Sequence, residues 1–197
     1  MRARLRKVWL VPAAATMAIL LSSCFTLQAF SLLVGAVPQG GKTTARFTLR
    51  PLSTNDDRFH QFVIVGVPSS GGVSAGKATW GTNGTFGGPE RMPVSADLPG
   101  VLATDGGCSQ NGVAFEDITN VTWKGYLTDG RVRTRGLVDQ KSTTDVVVRA
   151  ASDASTDTNY AVWGVTGVWD DDGDGIVETQ DDFLCTGLAT VSLYVEA

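Results

Sequence analysis

Histidine is almost missing from this chain: His60 is the only one in 197 residues. A Ser-His-Asp or Cys-His enzyme would need it as base, in an unusual chain order. His60 sits beside a run of strand-forming residues, where packing or capping is its expected role. The sequence marks no catalytic carboxylate pair either, which leaves only distant carboxylates that converge in the fold. Glu116 and Asp117 are sequence neighbours, and neighbours on a strand face opposite ways, which excludes them as a glycosidase pair. The chain is therefore expected not to be an enzyme, with a carbohydrate-active one as the residual alternative. Long amphipathic helical runs are absent beyond residue 24, which argues against a helical domain, and no internal repeat is present. Charge of either sign is absent between Lys7 and Lys42.

That uncharged stretch has a recognisable order. Arg2, Arg4, Arg6 and Lys7 form a basic head, Val8 to Leu21 follows without a charge, and Leu21-Ser22-Ser23-Cys24 closes the run. The order predicts a signal peptide over residues 1–23. Leu-Ser-Ser-Cys resembles a lipobox, in which the cysteine thiol is acylated and becomes the new N-terminus. The resemblance implies a bacterial-type lipoprotein held to a membrane through Cys24. An uncleaved anchor competes with it, since a span needs about 20 apolar residues, but Gln28, Gly35 and Pro38 interrupt the second half. Both readings place an exported domain in the cell envelope. Phe25 stands after the cysteine where an Asp is absent, which by resemblance to Gram-negative sorting signals implies the outer membrane in a host that has one.

Removing residues 1–23 leaves 174 residues, 24–197, enough for a single domain with a sizeable core. It also leaves 12 basic and 20 acidic residues, a net charge of −8. Such a surface makes nucleic acid an unsuitable partner. Seven of the acids fall between Asp170 and Asp182, so the acidity is local. Three cysteines occur in all. With Cys24 lipidated, Cys108 and Cys185 are left as an even pair in an oxidising compartment, and a disulfide between them is expected. Closing that loop contributes about 4 kcal/mol in the chain-entropy model.

Short runs of β-branched and aromatic residues, separated by Gly, Asn, Asp and Ser, predict strands. Thr44 to Arg50 alternates, with Ala45, Phe47 and Leu49 on one face. Phe62 to Val67 is apolar apart from Gly66, the pattern of a central strand. Val121 to Leu127 and Arg131 to Val138 flank Asp129-Gly130, a tight-hairpin signal. With Thr26 to Val34, Asp145 to Ala150, Tyr160 to Val168 and Ala189 to Val195, about eight strands emerge. Residues 68–111, rich in Gly, Pro, Ser and Asn, read as long loops or an insertion. The pattern predicts an all-β sandwich or barrel. Ala36-Val37-Pro38-Gln39-Gly40-Gly41-Lys42 before an alternating strand resembles the first turn of bacterial immunoglobulin-like and cohesin-like sandwiches, over about 25 residues. The resemblance implies an elaborated immunoglobulin-like sandwich, with a jelly-roll-like arrangement as the alternative.

One segment carries chemistry. Asp170-Asp171-Asp172-Gly173-Asp174-Gly175-Ile176-Val177-Glu178-Thr179-Gln180-Asp181 fits the twelve-position calcium loop: acids at positions 1, 3 and 5, glycine at 6, an aliphatic at 8, acids at 9 and 12. Calcium takes about six to eight hard oxygens, and alternate residues of a curled loop point inward. Asp170, Asp172 and Asp174 would therefore converge, with the Ile176 carbonyl, Glu178 and Asp181 completing the shell. Without a cation these carboxylates repel one another. Asp181 stands where an EF-hand has Glu, and the loop resembles dockerin and related extracellular calcium loops more than calmodulin. A strand-like run precedes it, and only Thr179 to Leu184 after it suits a helical turn. An EF-like loop in a β-hairpin is expected, with calcium structural and the Cys185 disulfide bracing its exit.

Weaker matches are set aside on physical grounds. Ala36 to Thr43 fits a loose Walker A pattern but precedes a strand, whereas a phosphate cradle opens a helix. Gly72-Val73-Ser74-Ala75-Gly76 fits a nucleophile elbow, yet no histidine follows Ser74. Phe183 lacks the hydroxyl that a tyrosine corner near Cys185 needs. Trp80, Trp123, Trp163 and Trp169 are expected mainly in the core, with a sugar-binding platform as the alternative. Asn83 and Asn120 head glycosylation patterns that a bacterial lipoprotein would not use. The combined expectation is a calcium-stabilised envelope lipoprotein acting as a binding or adhesion module for a glycan or protein ligand. The rival is an assembly subunit that lends its apolar N-terminal strand to a neighbour.

Overall fold

The computed structural model describes residues 25–51, 58–80, 108–110, 113–127, 132–133, 142–169 and 183–197. Among these the chain forms β1 (Phe25–Leu32), β2 (Ala36–Pro38), β3 (Lys42–Pro51), β4 (Arg58–Pro68), β5 (Val73–Trp80), β6 (Ser109–Gln110), β7 (Val113–Ala114), a 3-10 turn (Phe115–Asp117), β8 (Val121–Leu127), β9 (Val132–Arg133), β10 (Ser142–Ala150), β11 (Thr158–Trp169) and β12 (Phe183–Glu196).

Two sheets face each other. The smaller runs β1-β3-β10-β5, and the larger runs β2-β12-β11-β4-β8, with β9 pairing on β4. Neighbours are antiparallel except β2, which lies parallel to β12. From β1 the chain crosses at Leu33–Gly35 to β2 in the larger sheet and returns to the smaller sheet as β3. This is the elaborated β-sandwich expected from the strand pattern.

Alternation explains the core. Ala45, Phe47 and Leu49 of β3 and Val146, Val148 and Ala150 of β10 are fully buried and meet Val63, Val65, Val162, Leu193 and Val195 of the larger sheet. The unbroken apolar run of β4 has a separate cause. Val63, Val65 and Val67 enter the interior, whereas Phe62 and Ile64 join a second cluster with Cys108, Phe115, Leu127, Val165 and Leu188. The hairpin β6–β7 and the 3-10 turn supply Cys108 and Phe115, so this short segment covers the outer face of the larger sheet. A strand apolar on both faces is the rule for a sheet buried on both sides.

β1 is an edge strand, paired to β3 with a register shift between Leu27 and Ala29, so that Leu27 before the shift and Phe30 and Leu32 after it all pack against the core. It stays in its own sheet, so any assembly would have to use its other edge. Its side chains reach the facing sheet because glycines make room. A Cβ on Gly164 would lie 2.6 Å from the Phe30 ring, and one on Gly187 would meet Leu27. Gly164→Ala is therefore expected to cost about 1–3 kcal/mol by overpacking, read as a lower urea midpoint at unchanged slope. Recovery in Gly164→Ala, Phe30→Leu would place the effect at this contact; a neutral Gly164→Ala would contradict it.

The structure corrects three sequence expectations. Residues 68–111 are not all loop: β5 lies within them, paired with β10. Its alternation was hidden by an irregularity, since Gly76 and Lys77 both fall between Ala75 and Ala78 and oppose Val147 alone, and both flanking alanines point inward. The first expected strand, Thr26 to Val34, ends at Leu32, and the chain turns before β2. Arg131 to Val138 does not fold back on β8 as a hairpin arm: its described part, β9, pairs antiparallel with β4, Phe59 with Val132 and Arg58 with Arg133, in the same direction as β8, whose Leu127 pairs with Phe62; Asp129-Gly130 lies outside the described residues.

Candidate functional site

Strand direction sorts the functional residues between two ends. β1 begins at Phe25, paired with Pro51, and Leu27 lies over Gly187 near the start of β12. Trp169 ends β11 opposite Phe183, and β4 begins beside them, His60 pairing with Trp169. The residue bonded to Cys24 and the two stems of segment 170–182 therefore share one end of the sandwich. At the other end lie Pro68 opposite Val121, Val73 opposite Ala150, and Thr158 opposite Val195.

The stems settle what kind of connection carries the acidic segment. Trp169 pairs with Phe183 and Val168 with Leu184, so residues 170–182 join adjacent antiparallel strands. An antiparallel pair holds opposite Cα atoms about 4.5–5.5 Å apart, so the backbone at Trp169 and Phe183, which flank the segment, is held close together. Phe183 and Leu184 belong to β12, so a helical turn does not extend to Leu184 as expected. Asp170, Asp172, Asp174, Ile176, Glu178 and Asp181 themselves lie outside the described residues, as does Cys24. Among the described residues no three His, Cys, Asp or Glu side chains gather as metal ligands.

The expected disulfide is formed. Cys108 is bonded to Cys185 across 77 residues of sequence, with Cα atoms 5.5 Å apart. Cys185 pairs with Gly167, two residues into β12, next to a shift in register before Thr166 and Gly187. The bond thus ties the covering segment to the stem of the acidic hairpin.

At the opposite end a cleft of about 270 Å³ opens between β5 and β8. Val67, Val73 and Ala75 give it an apolar floor, and Ser69, Ser74, Thr122 and Lys124 give it hydroxyls and a cation. The Lys124 ammonium donates to the Ala75 carbonyl at 3.4 Å, and the Tyr126 hydroxyl donates to that of Gly76. The hydroxyls of Ser69 and Thr122 lie 3.1 Å apart. Gly71 and Gly72, with φ of 89° and 84°, form the turn beside the cleft, a conformation that side-chain-bearing residues disfavour. The cleft was not legible in the sequence, because β5, one of its walls, read as loop.

The tryptophans divide as packing predicts. Trp80 is buried in the main core, Trp123 stacks at 4.6 Å from Phe115 and covers Gly66, and Trp163 packs on the second cluster. Trp123 is partly buried and also lines the cleft. Ser74 lies on β5 and Lys42 and Thr43 open β3, so neither the elbow-like nor the Walker-like motif opens a helix.

No protein-family model matches the chain, and no curated protein matches its sequence. Among solved structures, AvmM, which catalyses macrocyclisation in alchivemycin A biosynthesis, superposes with a TM-score of 0.50 at 9% identity, over 89% of this chain and 90% of its own. A cohesin module from a Clostridium perfringens family 33 glycoside hydrolase gives 0.45 at 8% identity, over 88% and 98%. The seventh ScaB type I cohesin of Pseudobacteroides cellulosolvens gives 0.40 at 7%, over 85% and 92%. Likeness at such identity concerns the fold alone.

Proposed function

We propose that this chain is a calcium-stabilised lipoprotein of the cell envelope that acts as a non-catalytic binding or adhesion module, its ligand a glycan or a protein segment. The observation that carries this reading is the separation of tasks between the two ends. The anchor-bearing strand and the acidic hairpin share one end, and the cleft lies at the other, along about 35 Å of β4 (11 residues at ~3.3 Å each). Rigidity serves such a module, and the disulfide and the calcium loop both act at the stem. The cleft offers hydroxyls over an apolar floor, which suits a ligand rich in hydroxyl or amide groups.

Obstructing the cleft tests the reading. Thr122 is exposed on edge strand β8, where a tryptophan suits the strand. Thr122→Trp is expected to fold with unchanged stability and to weaken binding of envelope glycans or peptides at least tenfold, measured by calorimetry. Equal binding by both proteins would remove the cleft from the account. Turnover of a glycan that disappears in His60→Ala would restore the enzymatic alternative.

A further inference from the structure

The sheet β1-β3-β10-β5 has an open face whose charge opposes that of the chain. Lys42, Arg46 and Arg50 on β3, Lys77 on β5 and Arg149 on β10 alternate with buried residues and project from it. They are five of the 12 basic residues beyond Cys24 in a segment with eight more acids than bases. One acid shares the strands' outer face, Asp145, and Arg46 holds it through two 2.7 Å hydrogen bonds. Thr44, Thr48, Thr79 and Thr143 fill the space between. Lys42 and Arg149 lie directly opposite each other, a like-charge pair that weakens a sheet. Among the described residues neither they nor Lys77 has an ion-pair partner. An anion held against this face would relieve the repulsion.

The position of the anchor points to which anion. Cys24 is bonded to Phe25, which already pairs with Pro51 in this same sheet. Consecutive Cα atoms are about 3.8 Å apart, so no linker separates a lipidated Cys24 from the sheet. Headgroup charge acts within a Debye length, about 8 Å at physiological salt. An upright domain would bring only the β1 end that close; a domain lying on this face brings all five bases. Each Lys or Arg near an anionic leaflet strengthens partition about fivefold.

We propose that the open face of the β1-β3-β10-β5 sheet lies against the anionic phospholipid headgroups of the membrane that holds the lipid anchor. The proposal rests on acylation of Cys24, and its test separates the two. The mature protein, extracted from the membranes of the cells that make it, is floated on vesicles of phosphatidylcholine alone or with about one-third phosphatidylglycerol, a charge that attracts basic residues. Acetylation of Lys42 and Lys77 by a membrane-impermeant reagent is followed by mass spectrometry, with Lys124, in the cleft, as reference. Both lysines are expected to react at least fivefold more slowly on the anionic vesicles, with Lys124 unchanged. High salt abolishes the difference, and Arg149→Glu cuts it below twofold. Equal rates on both vesicles overturn the face while leaving the anchor intact. Failure to float on neutral vesicles overturns the acylation and the proposal with it. Protection by soluble polyphosphate, with none on anionic vesicles, overturns the membrane in favour of a soluble polyanion.

Discussion

Replacing Cys108 and Cys185 together by serine is expected to lower the unfolding free energy by about 4 kcal/mol, the loop-closure value for a bond spanning 77 residues. Domains are stable by only about 5–15 kcal/mol, so the loss is a large fraction of the total. The effect has a local component as well. Cys108 is 2% exposed and sits with Phe115 over Phe62, Ile64, Val165 and Leu188. The covering segment is short, with two-residue strands β6 and β7, and the disulfide is its covalent tie to the sheet. Without the bond it opens before the sandwich does, exposing an apolar face. The double serine variant should therefore bind a hydrophobic dye below the main transition, and its urea midpoint should fall. Wild type under reductant should behave alike. An unchanged midpoint with no dye binding would show that packing alone holds the cover.

What could be read in advance, and what could not, follows from how far apart the interacting residues lie. β3 was legible because a half-buried strand displays its alternation locally: Ala45, Phe47 and Leu49 were assigned to one face and all three are fully buried. The run at Phe62–Val67 was legible as central, but not the reason, since Phe62 and Ile64 are covered by a segment some fifty residues further on. β5 escaped because small residues and one irregularity at Gly76–Lys77 erased its period. The cleft escaped with it. That segment 170–182 joins two strands is legible from the strand-like run before it, and the stems are paired accordingly; the residues of the calcium spacing lie outside those described. The basic face is not legible along the sequence because its members come from three strands; only the register sets Lys42 beside Arg149.

The second large effect concerns calcium. Asp170, Asp171, Asp172, Asp174, Glu178, Asp181 and Asp182 crowd thirteen positions whose ends are held together by the Trp169–Phe183 pair. Folding therefore concentrates like charge that the unfolded chain can spread out, and a bound cation removes that penalty. Extracellular loops of this type bind calcium at about 10⁻⁴–10⁻³ M. At one hundred times the dissociation constant, a ligand specific for the folded state stabilises it by about 2.7 kcal/mol. For a domain of this size that corresponds to roughly 5–10 °C in melting temperature. EDTA should reverse the gain, and Asp172→Ala, Asp174→Ala should melt at the same temperature with or without calcium. Magnesium, which prefers octahedral geometry and sheds water reluctantly, should give a smaller shift.

A rigid calcium-braced module at the membrane is the central claim, and a thermal melt of the disulfide-intact protein in about 10 mM calcium and in EDTA tests it most directly, as such loops are saturated at that concentration. The account predicts a melting temperature several degrees higher in calcium for the wild type and none of that shift in Asp172→Ala, Asp174→Ala. Identical melts for the wild type in calcium and EDTA would contradict it and reduce segment 170–182 to a charged turn.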